Sequence, residues 1–196
     1  MIIGLTGRYC AGKSWVGTFF EQKGFAIIEV DNLGHTALSD STNQLLATFG
    51  EQILNEDKSI NRKALGKIVF SDKEKLKELE AIVHPKMVKA TQSLIEKYRE
   101  EKYKGIVINA ALLQRMDLVK LCDKVCYVAT PSIIRLKRAI KRDNASLKAF
   151  LRVEKAQTDI RVANLRVESC PYIIHNWLSK SFNYRQVEKF YATINS

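Results

Sequence analysis

The sequence has only three prolines and four cysteines in 196 residues. It also has no apolar run near the roughly 20 residues a membrane-spanning helix needs. So few prolines, with nine glycines, exclude a collagen-like or linker-like chain. Cys10, Cys122, Cys126 and Cys170 are scattered. Three residues rather than two separate Cys122 from Cys126, and no second pair completes a zinc site. Reduced thiols in a cytoplasmic protein are therefore expected. The opening MIIGLTGR lacks the basic segment, long apolar core and small-residue cleavage site of a secretory signal. There are no repeats, no low-complexity tract and no run of five basic residues.

What is present is globular composition, 46% hydrophobic and 27% charged. Lysine and arginine exceed aspartate and glutamate by 32 to 21, a net charge of +11. That balance attracts polyanions: nucleic acid, acidic membrane or small phosphorylated molecules. The cations are spread along the chain, which keeps small phosphorylated ligands open.

Apolar runs and helical spacing predict a strand over Met1–Thr6, a helix over Ser14–Lys23 ending at Gly24, and a strand over Phe25–Val30 closed by Asp31. This is a βαβ unit and implies a parallel sheet. Residues 40–104 read as helical, with capping residues at Asn61 and Ser71, a turn at Asp57–Ser59 and a break at His84-Pro85 before a helix to about Lys104. Strands follow at Ile106–Asn109, Lys124–Ala129 and Tyr172–His175. Helices are expected at Gln114–Cys122, Ser132–Arg142 and Asn183–Ile194. The fold class is α/β: a parallel sheet of about five strands flanked by helices and interrupted by a helical insertion.

Gly7-Arg8-Tyr9-Cys10-Ala11-Gly12-Lys13-Ser14 fits the phosphate-loop pattern G-x-x-x-x-G-K-[ST], between a strand and a helix as the motif requires. Its backbone N–H groups and the helix N-terminus can cradle phosphate oxygens. Lys13 would reach the β- and γ-phosphates, and Ser14 would place its hydroxyl on Mg²⁺. Asp31 lies on the same sheet edge and could take a proton from a hydroxyl, or only cap the next helix. Glu29 would share its strand face. Cys10, close to Lys13 and a helix N-terminus, could be a thiolate or an inert space-filling thiol. No [NT]-K-x-D string occurs, which weighs against a GTPase, and the late basic stretch Lys137–Arg166 suits a lid over a nucleotide.

These stretches together resemble the dephospho-CoA kinase family: IIGLTGRYCAGKS, VDNLGH at 30–35, LNEDKSINRKALGKIVFSD at 54–72 and AIVHP at 81–85. They continue with INAALLQRMDLVKLCDKV at 108–125, RLKRAIKRD at 135–143 and IIHN at 173–176, in the family's order. The resemblance implies a P-loop NTPase-type core of residues 1–37, 105–137 and 167–196, a CoA-binding lobe at 38–104 and a lid at 138–166. It implies ATP-dependent phosphorylation of the ribose 3′-hydroxyl of dephospho-CoA, the last step of coenzyme A synthesis. Asp31 and Lys13 would be catalytic. Cys10, Ala11, Gly12, Lys13, Ser14, Trp15, Arg138, Arg142 and Asn176 would bind ATP. Asp31, His35, Asn61, Arg62 and His84 would bind the acceptor, and Ser14 the Mg²⁺. Neither nucleic acid nor membrane is expected as partner.

The chain departs from the family pattern in the loop interior, where glycines are common, and a positive φ at Cys10 would strain it. Asn109 stands where an acid is frequent, His35 where an arginine is frequent, and Arg152 to Gln157 is one residue longer. Glu29 is the candidate to stand in for the missing acid. Two other readings compete: a kinase of another nucleotide or small alcohol, and a non-catalytic phosphate- or nucleic-acid-binding protein.

Overall fold

A computed structural model describes residues 1–165 and 170–194. Arg166, the far end of the expected lid, and residues 167–169 and 195–196 of the expected core lie outside the described residues. In chain order the elements begin β1 (Ile2–Thr6), α1 (Lys13–Gln22), β2 (Phe25–Glu29), α2 (Val30–Ser39), α3 (Thr42–Phe49), α4 (Arg62–Val69) and α5 (Lys73–Glu100). They continue β3 (Gly105–Asn109), β4 (Lys124–Ala129), α6 (Ser132–Asp143), α7 (Leu147–Ala156), β5 (Tyr172–His175) and α8 (Lys180–Thr193). The chain forms two compact units, Met1–Glu29 with Lys97–Ser196, and Val30–Glu96.

The first unit is built on a sheet in the order β2-β3-β1-β4-β5, with every pair parallel. Parallel strands covered on both faces need continuous apolar runs, and β1 and β3 are buried at every residue. Val16, Phe19 and Phe20 of α1 pack with Val187 and Phe190 of α8 against Ile3, Leu5, Val107 and Val128 of the sheet. Phe20 meets both Phe25 and Phe190 edge-to-face, with centroids 5.3 and 5.9 Å apart. The order places β1 between β3 and β4, so the chain switches direction along the sheet at the carboxyl end of β1. In open α/β sheets that crevice takes the ligand.

The second unit buries Leu45, Phe49, Ile53, Leu65 and Val69 together. Asn61 caps α4, its side-chain oxygen accepting the Ala64 N–H at 2.9 Å. Ser59 donates to Asp57 Oδ1 from backbone and hydroxyl, which makes the expected turn.

Five expectations are corrected. Asp31 does not close a strand. β2 ends at Glu29, paired with Asn109 at the end of β3, and Asp31 falls in the first turn of α2. The ladder partner, not the apolar run through Val30, sets the strand's length. Ser71 is not a cap, for its hydroxyl donates to Ile68 O, and Asp72 accepts the Glu74 N–H at 2.9 Å instead. His84-Pro85 does not break the helix, because α5 runs through it to Glu100. Pro85 is exposed, so water can reach the Ala81 carbonyl, and buried Val83, Met87, Thr91 and Ile95 hold one face in register. The expected helix at Gln114–Cys122 is turns and a 3₁₀ segment, Leu118–Leu121, after Asp117 enters the left-handed region at φ 54°. Finally, α8 begins at Lys180, because Ser179 rather than Asn183 opens it by accepting the Phe182 N–H.

Candidate active site

The loop from Gly7 to Gly12 joins the central strand to α1. Gly7 has φ +150°, and a Cβ there would stand 2.6 Å from the Val128 carbonyl oxygen. Gly12 has φ +95°, and a Cβ there would meet Asn176 Nδ2 at 2.0 Å. Both glycines are thus required by space as well as by backbone angle. No side chain caps the N-terminus of α1 and no acid lies in its first turn, so its positive end favours an anion. Lys13 Nζ donates to Gly7 O at 3.2 Å, lying back along the loop. Ser14 and Trp15 are exposed.

Cys10 takes φ +57°, the strained conformation anticipated for a non-glycine residue, at roughly 1–2 kcal/mol. Its side chain is buried with Ala139 and Phe150. Burial pushes the thiol up, against the opposing pull of Arg142 and Lys13. Desolvation outweighs the nearby cations, which together with the packing against Ala139 and Phe150 favours a space-filling thiol over a thiolate.

The loop is fastened by groups far away in sequence. Ala11 O accepts three donors, from Thr130 Oγ1 (2.9 Å), Asn176 Nδ2 (2.8 Å) and Arg138 Nη1 (3.0 Å). Arg138 also donates to Cys10 O and to Asn176 O. Tyr9 N–H donates to Gln157 Oε1 at 2.8 Å, and Tyr9 O accepts from Arg135 at 3.4 Å. Arg135 forms a two-pronged pair with Glu154, their side chains 4% and 17% exposed, and Arg8 approaches the same carboxylate at 3.6 Å. Arg135 holds the Glu154 carboxyl below its usual value. Arg142 grips Asp143, which also accepts from the Tyr9 hydroxyl, and these bonds lower Asp143 to about 2.

Sequence reasoning missed Arg8, Tyr9, Arg135, Glu154 and Gln157 as loop anchors. One signal was available: Arg135, Arg138 and Arg142 recur at i, i+3 and i+7, a single arginine stripe along α6.

At the carboxyl ends of β2 and β3, Asn109 Nδ2 donates to both Glu29 oxygens at 2.8 Å. Asn109 is buried, and its Oδ1 has no partner among the described residues. Glu29 on the neighbouring strand thus sets a carboxylate beside Asn109. Glu29 and Ser14 are hard oxygen donors of the kind Mg²⁺ accepts alongside phosphate oxygens and water. Among the described residues no three or more His, Cys, Asp or Glu side chains gather into a metal cluster.

A cavity of about 1220 Å³ opens beside the loop, lined by Gly12, Trp15, Arg138, Asn176, Tyr184 and Arg185 among others. Arg142 and Cys10 also line it. In the other unit, Asp31 and His35 are exposed one turn apart on α2, and Asp31 makes no side-chain bond among the described residues. Arg62 is exposed at the start of α4, Asn61 is its cap, and His84 lies half-buried within α5. Among the described residues no helix is long and apolar enough to cross a membrane.

Solved kinases share this fold. A shikimate kinase from Bacteroides thetaiotaomicron superposes with TM-score 0.56 at 11% identity over 100% of this chain and 99% of its own, a likeness of fold. A dephospho-CoA kinase from Campylobacter jejuni superposes with TM-score 0.69 at 27% identity, covering 98% and 96% of the two chains. A curated dephospho-CoA kinase from Fusobacterium nucleatum is 33% identical over 196 residues, 99% of this chain and 98% of its own. Another from Borreliella burgdorferi is 34% identical over 197 residues, 96% of this chain and 92% of its own. The dephospho-CoA kinase family model matches residues 1–179. With its phosphate loop intact within that match, the chain belongs to the dephospho-CoA kinase family.

Proposed function

We infer that the protein transfers the γ-phosphoryl group of ATP to the ribose 3′-hydroxyl of dephospho-CoA, giving coenzyme A. The observation that carries this is the family match across residues 1–179, in which the Gly7–Ser14 loop is complete. The transition state of phosphoryl transfer is loose, so the protein's contribution is positioning and charge stabilisation. In this reading the loop amides and Lys13 hold the β- and γ-phosphates. Asp31 accepts or orients the acceptor's proton, and its exposed, unengaged carboxylate supports that role. His35, Asn61, Arg62 and His84 contact the acceptor, with residues 38–104 serving as its lobe. Arg138, Arg142 and Asn176 face the nucleotide, and residues 138–166 serve as its lid.

Ser14 would hold Mg²⁺ with the nucleotide and Glu29 would serve its waters, and the ion would there supply neutralisation of polyphosphate charge. The +11 charge suits two polyanionic substrates. The cytoplasm is the expected compartment.

The test is ATP consumption with and without dephospho-CoA, with coenzyme A detected by mass. Coenzyme A should form only with dephospho-CoA and ATP together. Faster turnover with nucleoside monophosphates than with dephospho-CoA would reject the acceptor assignment.

A further inference from the structure

We propose that Trp15 and Tyr184 form an aromatic wall on which the purine ring of the donor nucleotide packs, so that they, with the loop, determine the choice of phosphate donor. The inference rests on the reading of ATP as donor and adds to it Tyr184, a role for Trp15 beyond its place after the phosphate loop, and a recognition chemistry.

Trp15 is 39% and Tyr184 43% exposed, a large apolar area to leave open in the free protein. Both line the 1220 Å³ cavity next to Gly12. The two are brought together through Phe19. It lies one turn after Trp15 on α1, and its ring meets that of Tyr184 edge-to-face at 5.5 Å. Trp15 itself makes no ring contact among the described residues and belongs to no core cluster. Long side chains on a helix lean toward its N-terminus, so the indole covers the wall on the Gly12 side.

The rest of the cavity fits a nucleoside polyphosphate rather than an apolar ligand. Lys141, Lys180 and Arg185 line it with a single acid, Glu188. The uncapped N-terminus of α1 opens at one end, and Gly12 lets the backbone come close there. Phosphates at the loop and a flat ring on the indole use both ends of one cavity. A base stacked on an aromatic side chain gains roughly 5- to 150-fold in affinity and is tolerant of base identity. The wall therefore distinguishes a nucleotide from a bare polyphosphate more than one purine from another.

The protein has two tryptophans, and the other, Trp177, is exposed. A Trp177→Phe variant thus makes Trp15 the sole indole reporter without altering it. Its emission should change saturably with ATP. Inorganic tripolyphosphate, which carries the phosphates without the base, should compete with ATP while leaving emission unchanged. In kinetic assays Trp15→Ala and Tyr184→Ala should each raise KM for ATP about tenfold. They should leave the tripolyphosphate inhibition constant and KM for dephospho-CoA unchanged, and Trp15→Phe should restore most of the loss. An equal loss of ATP and tripolyphosphate affinity, an unchanged KM for ATP, or an emission change given by dephospho-CoA but not by ATP would overturn the proposal. Lack of coenzyme A formation would instead reject the acceptor reading, and the fluorescence comparison of ATP with tripolyphosphate would still decide this one.

Discussion

Replacing Glu154 by glutamine should loosen the phosphate loop from α7 without touching any loop residue. The carboxylate takes both prongs of Arg135 and lies 3.6 Å from Arg8. Removing one partner of a fully buried pair costs roughly 3–5 kcal/mol, while exposed pairs are worth roughly 0–1 kcal/mol. With side chains 4% and 17% exposed, this pair lies nearer the buried limit. Glutamine keeps the shape and one acceptor, which brings the expected loss to about 2 kcal/mol. For a chain of this size that is a fall of roughly 4–8 °C in thermal midpoint.

The pH dependence gives an independent check. The Glu154 carboxyl is held below its ordinary value of 4.5, so its stabilisation is complete above that value and is lost as pH falls through the lowered one. The gap between wild type and Glu154→Gln should therefore be open at pH 7 and close in strong acid. Thermal or urea unfolding across that range measures it. A difference at pH 7 within about 0.5 kcal/mol, the scale of ordinary surface changes, would refute the fastening argument.

Three further outcomes are expected. Asp31→Asn should lower kcat by roughly 10²–10⁴-fold with ATP binding nearly intact, and near-normal turnover would leave Asp31 a helix-terminus charge. Asn109→Asp sets a second carboxylate against Glu29, where Nδ2 now lies 2.8 Å from both oxygens. Like charges so close favour protonation of one of them unless a cation intervenes, so the variant's thermal midpoint at pH 7 should rise with added Mg²⁺ more than the wild type's. Alkylation followed by mass spectrometry should label exposed Cys170 first and buried Cys10 far more slowly, and equal rates would contradict the packing of the loop.

Much of the site was legible because the phosphate loop is a local motif, carried by eight adjacent residues between two apolar runs. The strands were legible for a similar reason: a buried parallel strand is an uninterrupted apolar segment. Legibility ended where a distant partner decides. The run through Ile27, Ile28 and Val30 contains nothing to stop a strand at Glu29, since the stop comes from β3, which ends at Asn109. Pro85 reads as a break by its ring, yet it sits on an exposed face where the lost hydrogen bond can be replaced by water. Which loop atoms the anchors hold was hidden for the same reason, with Gln157 reaching Tyr9 across 148 positions and Arg138 reaching Ala11 across 127. That Glu29 could serve the Asn109 position was read from their shared sheet edge, but the two hydrogen bonds between them came with the register that sets them side by side.

The strand order also bears on how the chain is made. β1 and β2 leave the ribosome first, but neither pairs with the other, because β3 lies between them. About 75 residues separate the end of β2 from the start of β3, so at roughly 5–20 residues per second the gap lasts about 4–15 s. During that interval two apolar strands have open edges, and α1 has no finished sheet to cover. The second unit, whose core draws only on residues near one another in sequence, can condense meanwhile. Arrival of Gly105–Asn109 then lets β3 pair with β1 and β2 at once, so the apolar edges of the first two strands stay unpaired until the middle of the chain has been made.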